Sequence, residues 1–467
     1  MYVRRIALLS LIALAGCVGA PAERGPAPVD LLLRNVRVVD VATGTELRGR
    51  RDVEVVEGRI ADVVQAGEGR PGRRVVEGDG RWLIPGLWDA HVHVQRYGPG
   101  LADTLTRHGI TSVRALGGEA ERVAPILEAL RGDPDAPTIY ASVTIAEDPA
   151  WVERAAGFAL EDGDEAGAAS LRARLQIGDP ASARAAVDRF VDLGADLVKI
   201  RSFASPDTFA AFAEAADARG LRVVGHAPTT FAPSEAVRAG LDSIEHGLIA
   251  LVFADEAERE AELDALVDAF RDTNAALCPT TIANAYLLLG VDELRTRIAA
   301  IDDPEALGLT AEVVRAWSVD GPSNLIHGPD WQSTLPAMDA MTRRLHRAGV
   351  PILAGSDTGS TPLVFPGRAL HDELERLVER IELTPAEALR AATLAPARWQ
   401  GLEGQVGEVV AGQVADLVLL EANPLEEISA TRRIAAVVLG GRVIREAATQ
   451  VADASARSQL SRPSKDV

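Results

Sequence analysis

Six residues able to bind a metal ion or carry a proton sit where short apolar runs give way to loops. His91 and His93 close "LIPGLWDAHVH", Lys199 ends "DLVK", His226 ends "VVGH", His246 ends "SIEH" and Asp357 ends "ILAGSD". The chain holds only eight histidines, so two of them one residue apart form a pattern rather than background. In a strand, residues i and i+2 share a face, which turns His91 and His93 to one side with Asp89 behind them. Four histidines and an aspartate buried without partners would cost about 1–3 kcal/mol each. A divalent metal with nitrogen and oxygen ligands satisfies all of them. Any one of these histidines alone would be more simply a hydrogen-bonded core residue; the weight lies on the set.

Lys199 sharpens the pattern. Lysine occurs only at positions 199 and 465, in a chain with 48 lysines and arginines together. Between apolar neighbours an ammonium is costly and its pKa falls. A neutral lysine amine can add CO2 and become a carbamate, an anionic ligand able to bridge two metals. Arginine, always protonated, cannot. An ion pair with Asp89 or Asp357 is the alternative. Arg201 falls on the same face as Lys199 if the strand continues, where it could grip a substrate carboxylate bidentately. A solvated arginine or an ordinary ion pair competes with that role.

The elements that must position these residues read as alternating helices and strands. "LADTLTRHGI" precedes "TSVRALGG", "ASARAAVDRFVDLGA" precedes "DLVKIRS", "PDTFAAFAEAADARG" precedes "LRVVGHAP", and "MDAMTRRLHRAG" precedes "VPILAGSDTG". With the opening "LIPGLWDAHVH", "TIYASVTIA", "LDSIEHG" and "ALCPTT" the count of strands reaches eight. Apolar strands alternating with helices imply a parallel sheet covered on both faces, and eight such units imply an α/β fold of the (β/α)8 TIM-barrel type. Its active site would lie at the strand C-terminal ends, where the six residues fall. Residues 147–177 and 283–332 exceed the simple repeat and are candidates for lids over the mouth or for peripheral decoration. Outside the barrel, "VDLLLRNVRVVD" and "RRDVEVVEGRIADVV" alternate apolar and polar residues, as do "GEVVAGQVADLVLLE" and "IAAVVLGGRVI" near the other end. These flanks would assemble one small β-sandwich. The expected layout is a signal and tether over 1–28, sandwich parts over 29–84 and 403–450, the barrel over 85–402 and a polar tail over 451–467.

"PGLWDAHVH", the strand-end lysine, the two later histidines and "AGSDTG", in this order, resemble the amidohydrolase superfamily, and within it the imidazolonepropionase- and prolidase-like branch. The resemblance spans essentially the whole chain after the first segment. It implies His91, His93 and Asp357 on one divalent metal, His226 and His246 on a second, and carbamylated Lys199 bridging two ions, zinc foremost. It further implies hydrolysis of an amide-type C–N bond in a dipeptide, N-acyl amino acid or cyclic amide by a metal-activated hydroxide, with Asp357 as the catalytic proton carrier. Dipeptidases of that branch carry a histidine-rich loop after strand 3 and an aromatic residue near the strand 5 histidine. Here "YASVTIAEDPAW" has no histidine and "GHAPTTFAPSEA" offers Phe231 without a tyrosine, which departs from the dipeptidase pattern. A binding lipoprotein on an inactive barrel, or a metal-dependent lyase or isomerase, remain the competing readings.

The N-terminus carries an address rather than chemistry. "MYVRR" is cationic, "IALLSLIALAG" is apolar but too short to span a bilayer, and Cys17 follows. "LAGC" resembles the lipobox of bacterial lipoproteins, implying lipidation at Cys17, a periplasm-facing anchor at the outer membrane, and membrane contact through the lipid alone. The one other cysteine, Cys278, sits in apolar "AALCP" and reads as a buried hydrophobe. A formal net charge of −20 excludes nucleic acid as the partner class, because phosphate binding needs basic patches. A small-molecule substrate remains, and assembly into a homo-oligomer is compatible with everything above.

Overall fold

The computed structural model describes residues 27–446, apart from 96, 98, 99 and 360. Cys17, the segment around it and the tail 451–467 lie outside the described residues. The N-terminal flank contributes β1 (Val29–Asp40), β2 (Thr45–Glu46), β3 (Arg51–Val56), β4 (Arg59–Gln65), β5 (Gly72–Glu77) and β6 (Trp82–Pro85). Their alternation has the consequence period two dictates. Leu31, Leu33, Val36 and Val38 of β1 enter one apolar cluster with Val53, Val55 and Leu83. Asn35 adopts a φ of 59°, and the register shifts between Leu33 and Val36. One half of β1 therefore pairs with β3 and β5 and the other with β6.

The middle of the chain supplies β7 (Leu87–Val92), β8 (Ile110–Leu116), β9 (Thr138–Ser142), β10 (Ile145–Glu147), β11 (Leu175–Gln176), β12 (Leu197–Ile200), β13 (Arg222–His226), β14 (Leu241–Glu245) and β15 (Ala276–Cys278). They form two parallel arcs, β7-β8-β9 and β11-β10-β12-β13-β14-β15. Burial on both faces explains why these strands read as unbroken apolar runs. Helices cover the arcs. Pro180–Asp192 is representative: Asp179 caps it, accepting from the Ser182 N–H at 2.8 Å, and Ala183, Ala186, Val187 and Phe190 form its buried stripe. The result is an α/β, barrel-like arrangement with a flanking sheet.

Two differences from the sequence reading concern this core. The strand expected in "TIYASVTIA" is split into β9 and β10, and Asp196 N–H and Lys199 N–H bond to Ala141 O (2.8 Å) and Ser142 Oγ (2.9 Å) across the break. The eighth strand, expected in "VPILAGSD", is not a regular strand. Residues 351–358 instead run between the arcs, bonded to β15 through Leu353 N–H to Leu277 O (2.9 Å) and to β7 through Ala90 N–H to Ala354 O (2.8 Å). Gly355 makes this close passage feasible: a Cβ there would lie 2.8 Å from His91 Cβ. Asp357, at φ 57°, then turns the chain out of extended geometry.

The C-terminal flank returns as β16 (Leu417–Leu420), β17 (Ile434–Leu439) and β18 (Arg442–Glu446). The order β18-β17-β16-β6-β1-β3-β4, with β2 and β5 also paired to β1, joins both flanks in one nine-stranded flanking sheet through β1. The two long insertions are helical, with Pro149–Glu161 and Glu165–Arg172 in the first, and Val291–Ala299 and Ala311–His327 in the second. They touch each other: Phe158 stacks on His327 with centroids 5.1 Å apart, and Asp162 Oδ1 lies 3.4 Å from His327 Nε2. Among the described residues no helix is long and apolar enough to cross a membrane.

Candidate active site

The strand-end histidines converge. The His91 and His93 ring centroids lie 5.3 Å apart, His91 and His246 4.5 Å, and His226 and His246 4.6 Å, a contiguous group drawn from three strands or their ends. Asp357 closes it from the 351–358 segment, with Oδ1 3.4 Å from His91 Nε2 and 3.2 Å from His93 Nε2. Lys199 belongs to the same group: its charge acts on His91, His226 and His246, and Asp357 and Glu245 act on it. Residues far apart in sequence thus meet because the histidines and Lys199 lie at or near the ends of neighbouring strands, and the 351–358 segment brings Asp357 to the same rim.

Three of the four rings are aimed by their second nitrogen. His93 Nδ1 is 3.0 Å from Gly117 O and His246 Nδ1 is 2.9 Å from Thr280 Oγ1. His91 Nδ1 is 2.7 Å from Glu245 Oε2. The Thr361 hydroxyl donates to Asp357 Oδ2 at 2.6 Å. His246, Thr280 and Asp357 all have positive φ, at 66°, 45° and 57°. For residues with a Cβ this is strained backbone, costing about 1–3 kcal/mol each, and it clusters at the strand ends that carry the site.

The electrostatics favour ligand forms. Burial pushes His91 down to about 4, helped by the Lys199 charge, and burial also lowers His226 and His246 well below the ordinary imidazole value. These rings are therefore neutral at pH 7, the form a metal requires. Burial works against the charge on Asp357, but His93, His246 and His91 together hold it well below the ordinary carboxylate range. Burial brings Lys199 down to about 8 despite Glu245 and Asp357.

Within this group of histidines, Lys199 and Asp357, two buried atoms lack hydrogen-bond partners, His91 Nε2 and Lys199 Nζ. The ligand atoms of His91, His93 and Asp357 all lie within 4.8 Å of one another. Two unpartnered nitrogens set among neutral imidazoles and a carboxylate fit a divalent cation. The ion pair weighed for Lys199 with Asp89 is not formed, because Asp89 is engaged elsewhere. Its carboxylate accepts from Ser356 N–H (2.8 Å), Ser356 Oγ (2.6 Å) and the His91 backbone N–H (3.3 Å). Asp89 thus holds the turn before Asp357. Asp89 also reaches His91 through its backbone, while the His91 ring is held by Glu245, which sequence reasoning missed together with Arg114. A glutamate and an arginine inside the apolar runs "SIEH" and "TSVRAL" were the available signal.

Arg201 lies just past the end of β12, its N–H bonded to Ala146 O at 3.0 Å. Its guanidinium sits 4.3 Å above Trp151 and 3.6 Å from Glu147 Oε1, an acid fully buried and also held by Arg174 at 2.5 Å. Two guanidiniums thus face one carboxylate beside the site. Phe231 packs against Phe203, centroids 5.7 Å apart, as part of an aromatic cluster that includes Phe209. Cys278 is buried, as expected, at the end of β15.

Comparison with known proteins agrees with this geometry. Residues 82–444 match the model of the Amidohydrolase family. An uncharacterized protein of Mycobacterium tuberculosis is 28% identical over 402 residues, covering 83% of this chain and 90% of that one. An imidazolonepropionase of Pseudomonas paraeruginosa is 28% identical over 387 residues, covering 79% and 85%. Among solved structures, a putative prolidase from Bifidobacterium longum superposes with a TM-score of 0.67 at 26% identity, covering 90% of this chain and 95% of that one. A Xaa-Pro dipeptidase with bound methionine gives 0.66 at 21% identity over 89% and 99%, a likeness of fold. The chain belongs to the amidohydrolase family, in its imidazolonepropionase- and prolidase-like branch.

Proposed function

We propose that this protein is a metal-dependent amidohydrolase that cleaves an amide-type C–N bond in a dipeptide, N-acyl amino acid or cyclic amide. Membership of the family makes it a hydrolase of C–N bonds; the substrate range and ligand set are our reading. The observation that carries it is the meeting of four histidine rings, Asp357 and a buried lysine, with His91 Nε2 and Lys199 Nζ left unpartnered. His91, His93 and Asp357 would hold one divalent ion and His226 and His246 a second, with Lys199 as a carbamate between them; zinc suits this donor set. When bound, such ions supply Lewis acidity and make hydroxide available near neutral pH.

The chain's own residues do the rest. Asp357, ionised and oriented by Thr361, takes the proton of the attacking water and returns it to the leaving nitrogen. Arg201, close enough for its charge to act on Lys199 and His226, would attract a substrate carboxylate, the group that N-acyl amino acids and dipeptides share. The two insertions, joined at Phe158 and His327, act as a lid that limits water at the site. The strand arcs and the 351–358 segment complete a closed (β/α)8 barrel around it. Lipidation at Cys17 and a periplasm-facing, outer-membrane location complete the proposal, and the mass of the N-terminal peptide tests them.

The decisive experiment is metal analysis combined with a screen of N-acyl amino acids, dipeptides and cyclic amides, for wild type and Asp357→Asn. About two zinc ions per chain, and turnover lost in the variant, are expected from a dinuclear hydrolase. Near-normal activity of metal-replete Asp357→Asn would overturn the assignment, and absence of bound metal would favour a binding protein on the same scaffold.

A further inference from the structure

Behind His91 lies a charged pair that no part of the reaction uses. Glu245, Arg114, Ser243 and His91 are all fully buried. Glu245 Oε1 accepts from Ser243 Oγ at 2.6 Å and from Arg114 Nη2 at 3.0 Å, and Oε2 faces His91 Nδ1 at 2.7 Å. Arg114 is itself fixed from two further sides. Its Nε donates to Ala90 O at 2.6 Å, and its guanidinium lies 4.5 Å over the Trp399 ring. A buried ion pair is no stability device by default, since desolvating both charges offsets their attraction. This pair asks for another reason.

Directionality supplies one. A neutral imidazole carries its proton on one nitrogen only, and the other is the lone pair a metal can take. Glu245, supplied with donors on Oε1 by Arg114 and Ser243, presents a pure acceptor to His91 Nδ1. His91 must then hold its proton at Nδ1 and leave Nε2, the unpartnered atom, bare. Cys278 also comes within 4.8 Å of His91 and Glu245, but a Glu245 carboxylate committed to Arg114 is not free to join it around a second ion.

We infer that the Arg114–Glu245 pair is a positioning device that fixes the His91 tautomer with Nε2 bare, and so sets how firmly the ion at His91, His93 and Asp357 is held. Glu245 touches neither substrate nor ion; Arg114 acts through Glu245. The inference deepens the metal-site reading above and rests on it for its second half.

The test uses Glu245→Gln and the charge-neutral Arg114→Met/Glu245→Leu. In Glu245→Gln, Arg114 and Ser243 claim the amide oxygen, so the amide nitrogen donates to His91 Nδ1 and drives the imidazole proton to Nε2. In the double variant the acceptor is absent, and apolar replacement of both charges keeps the fold accessible if the single variant fails. Two readouts are taken: 15N NMR of selectively labelled histidine in metal-free protein, and the rate at which a chelator extracts the bound ions. We expect the His91 proton at Nδ1 in wild type and at Nε2 in both variants, with extraction of one ion about 10- to 100-fold faster. Retention of the Nδ1 proton in either folded variant, or extraction within about twofold of wild type, would overturn the inference. A wild type that takes up no ion would sink the metal-site reading instead, while the metal-free tautomer comparison still decides this one.

Discussion

Glu373 links stability, pH and the floor of the site. It lies on the helix Arg368–Glu379, fully buried, and accepts from Thr281 N–H (3.0 Å), Thr281 Oγ (2.7 Å) and Ile282 N–H (2.7 Å). It thereby anchors the turn after Thr280, whose hydroxyl aims His246. Burial pushes its carboxyl from 4.5 up to about 7, against the lowering effect of those three bonds and Arg376. An acid whose folded pKa is raised binds more protons folded than unfolded between those two values. Stability from this group is therefore full below about 4.5 and lost as pH rises towards 7. A shift of that size corresponds to about 3 kcal/mol as an upper figure. Glu373→Gln cannot titrate, and its amide nitrogen must oppose one of the two backbone N–H groups, costing about 1–3 kcal/mol at every pH. Urea unfolding of both proteins across pH 4.5–8 tests this, since the difference between them cancels every other titrating group. The variant should be weaker at pH 4.5 and converge on wild type by pH 8. A difference constant across that range would refute the assignment of a raised Glu373.

Two further outcomes follow from packing. Gly355→Ala would bring a Cβ to 2.6 Å from Cys278 Sγ and 2.8 Å from His91 Cβ. Overpacking of this kind costs about 1–3 kcal/mol; a thermal melt should register it, Cys278→Ala should partly restore it, and an unchanged melting temperature would contradict the close passage. Burial raises the Cys278 thiol well above its ordinary pKa, so a thiol reagent should leave the Cys278 peptide unmodified in native protein and modify it in urea, as mass spectrometry would read. Labelling of native protein at the denatured rate would contradict the burial.

What could be read in advance was whatever depends on period and position. His91 and His93 share a face because strands repeat every two residues, and His226 and His246 fall at strand ends because apolar runs stop there. The partners of those residues were not legible, since they depend on which strand lies opposite which. Glu245 is one residue from His246 in sequence, yet its ring partner is His91, on β7. Asp89 was placed on the correct face, but its bonds to Ser356 were not legible, because Ser356 reaches it only through the passage that Gly355 permits. The irregular eighth segment was hidden for the same reason. Nothing in "ILAGSD" announces that Asp357 leaves the extended region, and its neighbours, not its own propensity, hold it there.

These hidden features share a cost. Three non-glycine residues in left-handed conformation, a lysine brought down to about 8 by burial and unpartnered imidazole and amine nitrogens all surround one point. Each is unfavourable taken by itself. Local strain persists only where surrounding structure over-determines it, and here the flanks, the Glu373 anchor and the Arg114–Glu245 pair do so. Metal binding would add its free energy to the folded state alone. The melting temperature should therefore rise with divalent metal concentration in wild type. It should rise less in Glu245→Gln, where the same fold offers His91 with its Nε2 already carrying a proton. An equal rise in both proteins would mean that the strained rim owes nothing to the His91 tautomer.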